Sequence, residues 1–148
     1  MNTKYELNNS LKESLKNGDG IRKNTVRMAL ASIKQIEIDK RLILDEAGIA
    51  SVLQKEVKSR RESIIDAQKA NRPETVTSLE KEIAILEAFL PKQMSKEELV
   101  VIIKKVVAEV DAKNPTDIGK VMKLVIPQVQ GRASGDIISS TVRELLTN

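Results

Sequence analysis

The stretch "LPKQMSKEEL" (residues 90–99) decides how this helical sequence is organised. Pro91 ends a helix that precedes it, because its ring fixes φ and its nitrogen carries no hydrogen to donate. Ser95 and Glu98 have the spacing of a capping box, in which each side chain bonds the other residue's backbone N–H at a helix start. The stretch therefore predicts a border between two domains.

Four helices are predicted before the border, in a domain covering residues 1–91. Thr3 and Glu6 have capping-box spacing, Gly18 ends the first helix, and Pro73 suits the first turn of the fourth. Apolar residues of the fourth helix follow the 3-4-3-4 spacing of an antiparallel bundle. They are Val76, Leu79, Ile83, Leu86 and Leu90. The third helix, from about residue 45 to 71, is expected to turn the basic cluster "KSRR" (residues 58–61) outward.

Three shorter helices are predicted after the border, in a second domain covering residues 95–148. They span roughly residues 96–111, 117–130 and 135–146, with Thr116 capping the middle one and Ser134 the last. No stretch alternates apolar and polar residues as a half-buried strand would. The predicted fold class is all-α, an N-terminal four-helix antiparallel bundle followed by a C-terminal three-helix subdomain.

The composition excludes several kinds of active site. The chain has no Cys and no His, so Cys–His dyads, Ser–His–Asp triads and zinc sites built on thiolate or imidazole cannot form. Paired carboxylates occur mainly in helix first turns, where the helix dipole accounts for them. We therefore predict no catalytic residue, no cofactor and no metal. Because the sequence has neither a long apolar run nor a secretory signal, we expect a cytoplasmic protein with no membrane partner.

A short cationic window runs from residue 113 to 135 and contains the segment "GKVMKLVIPQVQGRASG" (residues 119–135). Four basic side chains there face one acidic side chain, Asp117, a net charge of +3. The candidate anion-binding residues of this basic corner are Lys113, Lys120, Lys123, Arg132 and Ser134. They could hold phosphate or sugar groups, with the first N–H groups of the last helix beside them. The alternative is a capped helix connection with solvated lysines.

A second basic edge lies along the second helix. Its residues are Lys23, Arg27, Lys34 and Arg41. These cations could contact a polyanion backbone, but Glu37 and Asp39 are close enough in sequence to pair with them, so a solvated face remains the alternative. Tyr5 and Phe89 are the only aromatic residues, which argues against recognition by stacking bases on rings.

The assembled segments resemble the GatB/YqeY family, over essentially the whole chain. The segments that carry the resemblance are "RMALASIKQIEID" (from Arg27), "VLQKEVKSRRESI" (from Val52), "EIAILEAFLPKQMSKEEL" (from Glu82) and "DIGKVMKLVIPQVQGRASG" (from Asp117). Members are similar to the C-terminal tail of the B subunit of glutamyl/aspartyl-tRNA amidotransferase, a carbon–nitrogen ligase that uses glutamine as amido donor.

The resemblance implies two helical subdomains and a non-catalytic accessory role in handling tRNA, with no active site in this chain itself. It implies that the tRNA-facing turn is the segment holding the basic corner. The chain departs from the family pattern at Gln128 and Gln130, where lysines are common. The resemblance also implies an alternative, in which the chain is an adaptor that docks on an amidotransferase or an aminoacyl-tRNA synthetase without binding RNA directly.

Overall fold

The computed structural model describes residues 2–147, and these contain seven α-helices, one 3₁₀ turn and no strand. The expectation of an all-α protein is confirmed. The helices are α1 (Thr3–Asn17), α2 (Gly20–Lys40), α3 (Glu46–Lys69), α4 (Pro73–Glu87), α5 (Lys96–Val110), α6 (Ile118–Val129) and α7 (Gly135–Thr147). The 3₁₀ turn (Pro115–Asp117) directly precedes α6.

Three predicted helix ends are confirmed. Gly18 ends α1 in the left-handed conformation, with φ of 69°, a conformation that glycine adopts without steric cost. Pro73 is the first residue of α4. The Ser95 hydroxyl accepts a hydrogen bond from the backbone N–H of Glu98 at 3.2 Å and so caps α5. Short-range sequence signals are sufficient at these three points.

Two predicted caps are wrong, each because of a contact that sequence spacing did not show. Asn2, not Thr3, caps α1, because the Thr3 hydroxyl donates instead to a Glu46 carboxylate oxygen at 2.6 Å. Thr116 does not cap the middle helix of the second half, because it lies inside the 3₁₀ turn. The carboxylate of Asp117 holds that turn by accepting from the backbone N–H of Asn114 at 3.2 Å.

The chain forms two compact units, Met1–Leu90 and Pro91–Asn148. In the first, α3 packs against α4 and α1 against α2, and α2 also contacts α3 and α4. Its fully buried side chains include Leu7, Val26, Ile33, Leu53 and Leu86. In the second, α6 contacts both α5 and α7. Its fully buried side chains include Leu99, Ile103, Val106, Val121, Val125, Val129 and Val142. Each unit thus has its own apolar core.

One residue of the basic cluster expected to face outward is buried. The Arg60 side chain is only 7 % exposed, and its Nη1 donates to a Glu56 carboxylate oxygen at 2.8 Å. Its Nε lies 3.3 Å from a Glu82 carboxylate oxygen. Ser32 on α2 donates to the other oxygen of Glu56 at 2.8 Å. This ionic network joins α2, α3 and α4, and the outward placement of Arg60 is wrong.

The sequence did contain a signal for the burial of Arg60. At 100° per residue, Arg60 falls within about 20° of Ile49 on the α3 surface, and Ala67 falls on the same stripe. Both neighbours on that stripe are buried. The grouping of Arg60 with other basic residues hid this position, since a cluster of like charges usually marks a solvated face.

Candidate nucleic-acid interface

The α6 helix presents two lysines of the basic corner to solvent. The apolar face of α6 is buried through Val121, Val125 and Val129. Lys120 and Lys123 are both exposed, and at 100° per residue they lie about 60° apart, on the side opposite the core. Lys123 forms no ion pair with any residue between 2 and 147, so its ammonium group can meet an anion directly.

Asp117 partly neutralises the start of α6. Its carboxylate accepts hydrogen bonds from the backbone N–H groups of Lys113 and Asn114, at 3.0 and 3.2 Å. These bonds, with a smaller contribution from the charge of Lys120, lower the pKa of Asp117 from its ordinary value of 3.8, against the opposing effect of burial. The Lys120 ammonium lies 4.0 Å from this carboxylate. Asp117 therefore remains ionised and offsets part of the local positive charge.

Lys113 lies at the turn before the 3₁₀ segment and is well exposed. Its ammonium lies 3.6 Å from the Asp111 carboxylate, and the two side chains are 73 % and 82 % exposed. An ion pair so open to solvent is weak. Lys113 can exchange this partner for another anion at little cost.

Arg132 is held by contacts within its own compact unit. Its Nε donates to the backbone oxygen of Lys92 at 3.0 Å, and its Nη2 donates to Glu98 at 3.1 Å. The backbone oxygen of Arg132 also accepts from the N–H of Met94 at 2.7 Å. These three bonds fasten the segment before α5 to the turn between α6 and α7. Sequence reasoning placed Arg132 between two helix ends but did not detect this fastening.

Ser134 caps α7, as its position predicted. Its hydroxyl accepts from the backbone N–H of Ile137 at 3.3 Å. The preceding turn bends through Gln130 and Gly131, both left-handed with φ of 51° and 77°, and Ala133 beside it is buried. The hydroxyl of Ser134 thus already satisfies one of the N–H groups that an anion at this helix start would meet.

The second basic edge runs along α2 and ends just after it. Lys23, Arg27 and Lys34 fall within about 40° of one another around the helix axis. Arg41 follows them as the left-handed C-cap residue of α2, with φ of 52°, and the four residues extend over about 27 Å at a rise of 1.5 Å per residue. Lys23 is half-buried and the other three are exposed. None of the four side chains forms an ion pair or hydrogen bond with another residue in the described range 2–147.

The carboxylates expected to pair with this basic edge have other partners. Glu37 accepts from the Lys4 ammonium at 2.8 and 2.9 Å and from the Leu44 backbone N–H at 2.8 Å. The bond to Lys4, and then the bond to Leu44, lower the pKa of Glu37 from 4.5. Asp39 accepts from the Gln35 side-chain amide at 2.8 Å. The expectation that these two acids pair with the edge is wrong. A lysine of α1 and a backbone N–H of the α2–α3 loop bind Glu37, and a glutamine of α2 binds Asp39.

Two kinds of site are absent from residues 2–147, a metal site and a membrane-spanning helix. No group of three or more acidic side chains is arranged to hold a metal ion. No helix there is long and apolar enough to cross a bilayer. A shallow open groove of about 370 Å³ lies at the turn between α3 and α4, lined by Asn71, Arg72 and their neighbours.

Comparison with known proteins identifies the family. The family model described as "Yqey-like protein" matches residues 4–146. The chain belongs to the YqeY-like protein family. This family is also found as the C-terminal tail of the amidotransferase B subunit, so the resemblance predicted from the sequence is confirmed.

Two curated relatives share a name. The chain is 30 % identical over 149 aligned residues to "Altered inheritance of mitochondria protein 41, mitochondrial" of Lachancea thermotolerans, covering 95 % of this chain and 80 % of the relative. It is 32 % identical over 85 residues to the protein of the same name in Vanderwaltozyma polyspora, covering 57 % of this chain and 46 % of the relative. Both names contain the word mitochondrial, and this overturns the expectation of a cytoplasmic protein.

Proposed function

We propose that this YqeY-like chain is a non-catalytic accessory module that associates with tRNA and contacts its sugar–phosphate backbone through the basic corner. One observation carries the proposal: Lys120 and Lys123 stand exposed on the same side of α6. Cations in this arrangement attract phosphates without reading sequence. The family's occurrence as the tail of a tRNA-dependent amidotransferase subunit supports tRNA as the polyanion.

We propose that the two compact units act as two subdomains of this module. The first would be a four-helix antiparallel bundle formed by α1–α4, and the second a three-helix tail formed by α5–α7. Each has a core of its own, which supports independent folding. The corner belongs entirely to the tail, so the tail alone would hold the proposed contact.

Arg132 and Ser134 would support the corner rather than provide most of its charge. The guanidinium of Arg132 has five N–H donors, and its bonds to Lys92 and Glu98 use two of them. Ser134 positions the start of α7 through its bond to Ile137. Lys120, Lys123 and the weakly paired Lys113 would then form the direct phosphate contacts.

Recognition would depend on RNA shape and backbone rather than on stacked bases. Tyr5 is 63 % exposed, while Phe89 packs against the core of the first unit. A single exposed ring provides no row of stacking surfaces. Folded RNA recognised through its phosphates and hydroxyl groups fits this surface better than a single strand does.

A fluorescence-anisotropy titration against tRNA at several salt concentrations tests the proposal. The test variant is Lys120→Gln with Lys123→Gln, and the matched control is Lys104→Gln with Lys105→Gln, two exposed lysines on α5. Removing two phosphate contacts should flatten the slope of log affinity against log salt by about 1.5, while the control slope stays near that of the parent chain. Equal slopes for the two variants would contradict the proposed corner.

The alternative function is an adaptor that docks on an amidotransferase or an aminoacyl-tRNA synthetase. The observation favouring it is an apolar surface at the end of α2, where Ile38, Leu42 and Ile43 are 60 %, 45 % and 86 % exposed. Neighbouring exposed aliphatic residues are typical of protein contacts. Retention of either enzyme by the immobilised chain after nuclease treatment, and its loss with Leu42→Ser and Ile43→Ser, would support the adaptor instead.

A further inference from the structure

The four cations of the second basic edge have no acidic partner among residues 2–147. Lys23, Arg27 and Lys34 occupy one stripe of α2 and Arg41 directly follows its last turn. No carboxylate in the described chain lies within ion-pairing distance of these four cations. The two nearest acids in sequence, Glu37 and Asp39, bond to Lys4, Leu44 and Gln35. Lys4 compensates the charge of Glu37, and Asp39 bonds a neutral amide rather than a cation of the edge. The four cations of the edge are therefore without an ion-pair partner among residues 2–147.

The spacing of these charges suits an extended polyanion. Successive cations on the stripe are about 6, 10.5 and 10.5 Å apart along the helix axis. These separations are close to the Debye length of about 10 Å at 0.1 M salt. Neighbouring charges therefore reinforce one another in part, while charges at opposite ends of the edge are screened from each other, so the edge attracts an anion that follows it from one cation to the next.

We infer that the outer edge of α2 is a second phosphate-binding surface, which contacts a run of nucleic-acid backbone along about 27 Å. The identity of the ligand as RNA rests on the proposed function, but the edge belongs to the first unit and shares no residue with the basic corner. Its four cations could release up to four condensed counterions, one more than the three lysines of the basic corner. The edge thus provides the larger share of the salt-dependent binding energy.

The surface binds backbone and does not select a sequence. Lysine and arginine side chains on one exposed helix stripe reach phosphates through charge and hydrogen bonds. The exposed residues that flank the stripe most closely around the helix, Ala31 and Ile38, have no side-chain group that could read a base edge. A duplex RNA unrelated to tRNA should therefore bind this edge as well.

The test compares three variants of the full chain, each with two RNAs. The edge variant replaces all four cations with Gln. The control variant replaces four other exposed lysines of the first unit with Gln: Lys12, Lys16, Lys69 and Lys81. Both lower the formal net charge of +4 by four. The third variant exchanges Lys and Arg within the edge, which keeps every charge. The RNAs are tRNA and a 20-base-pair duplex of unrelated sequence, about two helical turns long.

We expect the edge variant to flatten the slope of log affinity against log salt by about 3 with both RNAs. Between 50 and 200 mM salt, its loss of affinity should be smaller than that of the parent chain by about 60-fold. The control variant should change the slope by less than half as much, because dispersed charges contribute only to the long-range field. The charge-preserving variant should match the parent. Circular dichroism of every variant verifies that the helices are intact.

The outcomes separate this inference from the proposed function. Equal slopes for the edge and control variants would contradict the proposed second phosphate-binding surface. They would not contradict the proposed tRNA contact at the basic corner. Equal affinities of the parent chain for tRNA and duplex, with the edge variant weakened for both, would support the edge and remove the preference for tRNA. Failure of the parent chain to bind either RNA at about 50 mM salt would overturn the edge outright.

Discussion

The basic corner of the second unit and the basic edge of α2 carry similar numbers of cations but differ in how their charges are used. In the corner, Arg132 bonds Glu98 and the Lys92 carbonyl, and Lys120 lies 4.0 Å from Asp117. On the edge, no cation has a partner within the described residues. The corner is a structural joint with three exposed lysines, whereas the edge is a row of four cations without acidic partners among residues 2–147.

This difference shows that local net charge in the sequence is a poor measure of available charge. The window over residues 113–135 has a net charge of +3. One of its cations, Arg132, nevertheless pairs with Glu98, which lies outside the window. The edge appeared neutralised by Glu37 and Asp39, yet Lys4 and Gln35 bind them. A carboxylate neutralises the cation it contacts in three dimensions, which need not be the nearest one in sequence.

Replacing Arg60, a buried and ion-paired arginine, should have the largest effect on stability. Arg60 bonds Glu56 and Glu82 while almost fully buried. Arg60→Met leaves two carboxylates without their cation in a partly buried site, and we expect a loss of about 3 kcal/mol in the free energy of unfolding. Urea denaturation followed by far-UV circular dichroism measures it.

The matched control for this variant is the neighbouring residue. Arg61 pairs with Glu87 at 2.7 Å, but the two side chains are 64 % and 46 % exposed. Arg61→Met should change stability by about 0.5 kcal/mol or less. If the two variants unfolded at the same urea concentration, the buried network would contribute no more than a surface pair.

Arg132→Gln should have an intermediate effect and sharpen the comparison of corner and edge. The variant loses the charged bond to Glu98 and the bond to the Lys92 carbonyl, and we expect destabilisation by about 1 kcal/mol. Lys34→Gln on the edge, which removes a cation without partners, should alter the unfolding free energy by about 0.3 kcal/mol or less. Urea denaturation of both proteins provides the comparison. A larger loss of unfolding free energy for Lys34→Gln than for Arg132→Gln would contradict the view that Arg132 stabilises the fold through its bonds while Lys34 does not.

The smallest expected effect is the pH dependence conferred by Asp117. Its pKa in the folded protein lies below the ordinary value of 3.8, so its stabilising contribution is complete above that pH and is lost as pH falls through the lowered value. Asp117→Asn should therefore be less stable than the parent chain at about pH 5, with the gap narrowing towards about pH 3. Urea denaturation at both pH values measures this gap.

The control variant is Asp111→Asn, which also removes one acidic charge from the second unit. Its carboxylate is 82 % exposed and lies near Lys113. A gap between Asp117→Asn and the parent that stayed constant over the acidic range would show that the backbone bonds to Asp117 do not depend on its ionisation.

Much of the fold could be predicted from local signals. The seven helices follow from apolar periodicity, and Gly18, Pro73, Ser95 and Ser134 define helix ends because a cap acts on residues three or four positions away. Thr3 shows the limit of such reasoning. Its hydroxyl has the right spacing to cap α1, but it bonds Glu46 on α3 instead, and no local pattern reports a partner 43 positions away.

The sequence by itself determined the helical class, the helix ends that depend on neighbouring residues, the family, and which residues carry charge. Only the tertiary structure decided which charges are available. Helix packing buried Arg60 between Glu56 and Glu82, attached Arg132 to the segment before α5, and drew Glu37 towards Lys4. The physical reason is that helical periodicity is a short-range property of the backbone, whereas an ion pair forms between whichever side chains the packed helices bring together.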